Sequence, residues 1–184
     1  MIGSADGGLV IRLPSDVPVF ARGTMLDVSG KLAAPYGQLE IRPAKTDIRG
    51  TGAAALPTPL AVPTGGLAES LEARLASTTG RLTAKPTKSA SGDIAFVLER
   101  AEGPSVKVLA DASSRVSLTN LKVGATYRVT GVVGQRATRS GALDGYRICL
   151  RDPADIVVTT APTPSGSPAP APSASAGSVA VISI

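Results

Sequence analysis

Val129-Thr130-Gly131-Val132-Val133 decides how this chain reads. It is a β-branched run interrupted by one glycine. The same small pattern recurs as Val28-Ser29-Gly30-Lys31-Leu32 and Thr78-Thr79-Gly80-Arg81-Leu82. β-Branched side chains suit the pleated, half-buried surface of a strand. A glycine inside such a strand marks a bulge or a sharp bend. Closed barrels need these bends, because long strands must coil around the axis.

A wider correspondence surrounds two of the copies. Gly23 stands seven residues before Gly30, and Gly124 seven before Gly131. Each copy continues through a Gly-containing turn to another strand. The first is Gln38-Leu39-Glu40-Ile41-Arg42-Pro43-Ala44, followed by Asp47-Ile48. The second is Tyr146-Arg147-Ile148-Cys149-Leu150-Arg151-Asp152-Pro153-Ala154-Asp155-Ile156. Upstream, residues 8–13 match residues 105–109. Residues 8–48 therefore repeat residues 105–156.

Strands are expected at residues 9–13, 25–32, 38–42, 75–84, 93–99, 106–110, 126–135, 146–151 and 155–159, where β-branched runs are punctuated by Gly, Pro, Asn and Asp. One helix is expected at residues 67–75, where Leu67, Leu71 and Leu75 recur every four residues. Residues 53–66 hold Pro57, Pro59 and Pro63 and read as an extended linker. Residues 161–177 contain only Ala, Pro, Ser, Thr and Gly and read as a disordered tether. Residues 178–184, Ser-Val-Ala-Val-Ile-Ser-Ile, turn apolar again. They either pair with an open sheet edge or begin an element that continues beyond Ile184, where any membrane anchor would also lie.

A strand, a connector, a Gly-bent strand, a turn and a last strand leading to an Asp-Ile step resemble the second half of an OB-fold. The run Gly131-Val132-Val133-Gly134, then Asp144-Gly145-Tyr146-Arg147-Ile148, then Asp152-Pro153-Ala154-Asp155-Ile156 is similar to OB-like domains of bacterial extracellular proteins. The resemblance implies an all-β chain. It holds one complete five-stranded Greek-key barrel (67–160, with a lead-in helix) and one partial module (1–52, strands three to five). Because the first copy starts at strand three, the chain is expected to be a piece of a longer protein. The resemblance also implies a non-catalytic binding module at the cell surface or outside the cell.

Composition narrows the chemistry. The 184 residues include no His, no Trp and one Cys. Without His there is no imidazole base for a Ser or Cys nucleophile and no His metal ligand. One Cys excludes an internal disulfide framework. No cofactor, metal site or catalytic residue is expected. The N-terminus lacks the basic start and apolar core of a secretory signal. The net charge is +5. Residues 121–151 hold six bases (Lys122, Arg128, Arg136, Arg139, Arg147, Arg151) against Asp144, so 6 − 1 = +5 as well.

OB-folds bind on the face of strands two and three, flanked by the loops after strands one and four. That placement singles out Lys85 and Lys88 in the first loop and Lys107 on strand three. It adds Arg136, Arg139 and Arg147 in and beside the second loop. Mobile positive charge of this kind suits phosphate, so the expected ligand is nucleic acid or another polyanion, bound weakly and salt-sensitively. The rival is a structural spacer or protein-interaction domain. Five aromatics supply few stacking platforms. Phe96 is expected in the core, Tyr127 and Tyr146 opposite each other across the hairpin of strands four and five, and Tyr36 exposed. Cys149 is expected to be a packed or unreactive thiol.

Overall fold

The computed structural model describes residues 2–3, 8–18, 20–35, 39–137 and 143–161. Tyr36, Arg139, the tether past Ala161 and residues 178–184 lie outside the described residues. In chain order the strands are β1 (Ile2–Gly3), β2 (Gly8–Ile11), β3 (Thr24–Val28), β4 (Lys31–Ala33), β5 (Glu40–Arg42), β6 (Ile48–Ala53) and β7 (Leu60–Ala61). There follow β8 (Leu75–Leu82), β9 (Thr87–Lys88), β10 (Ile94–Glu99), β11 (Val106–Ala110), β12 (Thr126–Ala137), β13 (Leu143–Leu150) and β14 (Ile156–Thr160). Each named helical stretch between them is a three-residue 3-10 turn.

Five strands close a barrel in the order β8-β10-β11-β13-β12, with β12 returning to β8. The closing seam runs antiparallel from Thr126 opposite Arg81 to Val132 opposite Leu75. Within the ring only β11 and β13 are parallel, with Lys107 opposite Arg147. The fold is all-β, and this ring is compatible with an OB-like barrel.

Period-two patterning fills the barrel. On β10, Ile94, Phe96 and Leu98 are buried while Ala95, Val97 and Glu99 are exposed. β11 contributes Val106, Val108 and Ala110, and β12 contributes Tyr127, Val129 and Val133. Tyr127 is 1 % exposed. Its hydroxyl donates to the Asn120 carbonyl (3.2 Å) and accepts from the Lys122 amide (2.6 Å), so the connector from β11 to β12 is tied to the core. Tyr127 stands opposite Gly80 and Val158, and Tyr146 opposite Gln135. The two tyrosines therefore do not face each other as expected, because the hairpin partner of Tyr146 lies eight residues past Tyr127.

The glycines of the recurring pattern sit where strands nearly touch. A Cβ on Gly131 would collide with the Cys149 carbonyl oxygen and stand 2.7 Å from Ile148 Cγ2. One on Gly80 would stand 2.8 Å from the Glu99 carbonyl oxygen, and one on Gly30 equally close to that of Arg42. In each case the obstacle is largely the backbone of a paired strand, which cannot move aside cheaply.

The expected helix at 67–75 does not form. Glu69–Leu71 make one 3-10 turn, Ala73 takes φ 57°, and Leu75 already begins β8. The Ala73 amide donates to the Val133 carbonyl (2.8 Å), and the Val133 amide to the Arg74 carbonyl (2.9 Å). Pairing with β12 thus prevails over a helix of barely two turns, which is marginal in water. Leu71 is still buried, by the turn rather than by a helical face. The Pro-rich stretch is extended and packed. Leu60 and Ala61 pair in parallel with Ala76 and Ser77, and Val62 is 6 % exposed. Arg100 holds it by donating to the carbonyls of Val62 (2.8 Å) and Pro63 (2.9 Å).

The first fifty residues form the sheet β1-β2-β5-β4 and the pair β3–β6. Their registers parallel those of the barrel. β2 is parallel to β5, with Val10 opposite Glu40, as β11 is to β13. Val28 opposite Ile48 corresponds to Val129 opposite Ile156. Leu32 opposite Ile41 corresponds to Val133 opposite Ile148. β1 stands beside β2 where β10 stands beside β11.

Gly131→Ala is expected to destabilise the chain by about 1–3 kcal/mol, the usual cost of forcing volume into a packed site. Urea denaturation followed by circular dichroism measures it. An unchanged midpoint would show that the β12–β13 approach is looser than described.

Candidate ligand-binding face of the barrel

Three strands build the outward face on which the expected ligand site falls. Residues directly opposite in neighbouring strands point to the same side of a sheet. Val97 on β10 is opposite Lys107, Lys107 opposite Arg147 on β13, and Arg147 opposite Gly134 on β12. The next row outward is Ala95, Leu109, Cys149 and Val132. Lys107 is exposed and Arg147 half-buried. Val97, 41 % exposed, stands beside Lys107 as an apolar surface. The face thus pairs two cations with a short apolar strip.

The other expected cations are spread around this pair. Lys88, on β9, is opposite Ile94, and Lys85 lies just before it; both are exposed. Ile94 lies three residues before Val97, so Lys88 sits roughly 10 Å along the strand from the Lys107 row, at about 3.3 Å per residue. Lys88 also shares its side of the sheet with the buried Ile94, at the barrel's end, rather than with the outward row. The backbone of Arg136 falls at the irregularity in β12 between Gln135 and Ala137. Sequence reasoning placed Lys107 and Arg147 on adjacent strands, and the structure makes them direct neighbours.

Asp93 holds the β9–β10 turn. Its carboxylate accepts from Ser91 Oγ (2.8 Å) and from the Ala112 amide (3.0 Å), while the Ser89 hydroxyl accepts from the Asp93 amide (3.0 Å). These bonds, the Ser91 hydroxyl first, hold its pKa below the usual carboxylate value. The turn that carries Lys88 is therefore pinned by a charged acceptor. Burial pushes the Cys149 thiol up, away from the thiolate form.

Two further polar groupings were not foreseen. Asp155, 2 % exposed, accepts from the Arg151 amide (2.8 Å), Arg151 Nε (3.0 Å) and Arg151 Nη2 (2.7 Å). Arg22, from the first fifty residues, also reaches Asp155 (3.1 Å) and Asp152 (2.5 Å). Asp152 itself caps the 3-10 turn Pro153–Asp155 through the Ala154 amide (2.8 Å). The sequence read both acids as ordinary turn residues, although the Arg151–Asp155 spacing was visible. The second grouping is Tyr146, whose hydroxyl donates to Glu69. That bond, with burial and the charges of Glu69 and Glu72, pushes the phenol up to about 12. Burial, then the neighbouring Glu69, raises Glu72.

A groove of about 440 Å³ lies between β7, β8 and the Arg100 turn, but the Arg100 guanidinium is engaged by backbone carbonyls there. Among the described residues no three His, Cys, Asp or Glu side chains gather as a metal site, and no helix is long and apolar enough to cross a membrane. No family model and no curated protein match this chain.

Tyr146 gives a direct check on this end of the barrel. Its raised pKa means that the folded state holds the phenol proton more tightly than the unfolded chain. That contribution to stability is complete below pH 10 and is lost as pH rises through about 12. Absorbance titration at 295 nm of wild type and Glu69→Gln should show one tyrosine moving to lower pH in the variant. Identical titrations would separate Tyr146 from Glu69.

Proposed function

We propose that the chain is a non-catalytic binding module for a polyanion, nucleic acid first, on the outward face of β10, β11 and β13. The observation that carries this reading is the register that makes Lys107 and Arg147 direct neighbours beside exposed Val97. Lys85 and Lys88 extend the positive charge to one end of this face, and Arg136 and Arg139 in the β12–β13 hairpin extend it at the other. Phosphate binding needs positive charge distributed along a surface, with apolar contact for bases or sugars. The absence of His and the lone, thiol-form Cys149 support a role without chemistry of its own. The parallel registers of residues 8–48 and 105–156 support reading them as two copies of one module, the first of them partial. The uncharged Pro- and Ala-rich stretch from 161 suits a spacer in an extracellular or surface protein.

With few aromatics to stack bases, the charge term dominates, so affinity should fall steeply with salt. Fluorescence anisotropy with labelled single-stranded DNA, double-stranded DNA and heparin at about 50 and 200 mM salt reads this out. Lys107→Glu combined with Lys88→Glu should weaken every polyanion alike and flatten the salt slope by about one unit for each phosphate no longer neutralised. No binding to any of the three at the lower salt overturns the proposal and leaves a structural spacer.

A further inference from the structure

The first fifty residues leave open what the barrel closes. Matched through their registers, Leu32 corresponds to Val133, Ile41 to Ile148 and Leu9 to Val106. Val133, Ile148 and Val106 are 0 %, 0 % and 1 % exposed, whereas Leu32 is 65 % exposed and Ile41 and Leu9 are half-buried. The covering element in the barrel is β8. It pairs with β12 on the side away from β13 and β14. In the first sheet β6 and β5 occupy the side matching β14 and β13. Among the described residues, β3 pairs only with β6 and β4 only with β5. The edge formed by β3 and β4 is thus the counterpart of the one that β8 covers.

We propose that residues 178–184 of this chain dock as a strand along the β3–β4 edge and cover Leu32. The segment reads Ser178-Val179-Ala180-Val181-Ile182-Ser183-Ile184, which carries no charge to desolvate. At the strand period Ala180, Ile182 and Ile184 fall on one face. It is long enough to span most of the seven registers that β8 makes with β12.

Reach decides between this segment and a stranger. Asp155 touches Arg22, two residues before β3 begins, and Ala161 lies six residues past Asp155 along β14. The near end of the edge is therefore roughly 30 Å from Ala161, at about 3.3 Å per extended residue. The sixteen residues 162–177 span roughly 50 Å at ~3.1 Å per residue of a Pro-rich chain. A tethered segment acts at an effective concentration near millimolar, so even weak pairing is populated.

Hydrogen exchange read by mass spectrometry on the full chain tests this. Amides of residues 179–184 should exchange about ten-fold or more slowly than in a free peptide of the same sequence. Ile182→Asp should abolish that protection and speed exchange across residues 24–33. Leu32→Asp, at a position already exposed, should remove the tail's protection while the barrel stays folded. Exchange of the tail at the free-peptide rate overturns the proposal. Protection that fades on dilution overturns it too and assigns the edge to a second copy. Protection indifferent to Leu32→Asp places the segment elsewhere and likewise overturns it.

Discussion

The seam between β8 and β12 is the constraint on which the barrel depends. A sheet of five strands has two edges, each a row of unpaired amides and carbonyls. Pairing Leu75 through Arg81 with Val132 back to Thr126 satisfies both edges at once over seven registers. Closure also makes an inside: Tyr127, Val129, Leu82, Leu98 and Ile148 become buried only because the ring returns on itself. The outward face inherits its geometry from the same event. Lys107 and Arg147 can only be neighbours where β13 lies parallel beside β11, and that placement follows from β12 having been drawn back to β8.

Tight curvature demands close approach, and the glycines supply it. Gly80 on β8 and Gly131 on β12 each face the backbone of the next strand at a distance that leaves no room for a side chain. Around this ring, polar groups fix the connections. Tyr127 ties down the connector before β12, Asp93 the turn before β10, and Asp155 the turn before β14. Asp155 is the most costly to disturb. Removing one partner of a buried ion pair typically costs about 3–5 kcal/mol, because the other charge is left uncompensated. Arg22 brings the first fifty residues into this same network, so the two parts are joined by charge as well as by chain.

Much of this was legible in the residues because strands advertise themselves at period two. The β10 run of Ile94, Phe96 and Leu98 gave its buried face directly, and the spacing of Gly23–Gly30 and Gly124–Gly131 anticipated matching registers. The helix at 67–75 failed for a physical reason. Three leucines at every fourth position satisfy a helical template, but the same stretch can place Leu71 inside by a single turn and pair its backbone with Val133. Asp155 failed for another. A carboxylate beside a Pro turn reads as surface chemistry until folding brings Arg22 to it from 133 residues away. Lys107 and Arg147 were legible one by one, and their direct adjacency was not, since parallel pairing across 40 residues leaves no local trace.

Closure of the ring is best tested by nuclear Overhauser contacts between backbone protons in the full chain. The antiparallel seam predicts contacts between Gly80 and Tyr127, and the parallel pairing predicts contacts between Val108 and Ile148. Finding both in one sample establishes the barrel and the face it presents. Finding the second without the first would leave an open sheet, and the account of core, glycines and ligand face would fail with it.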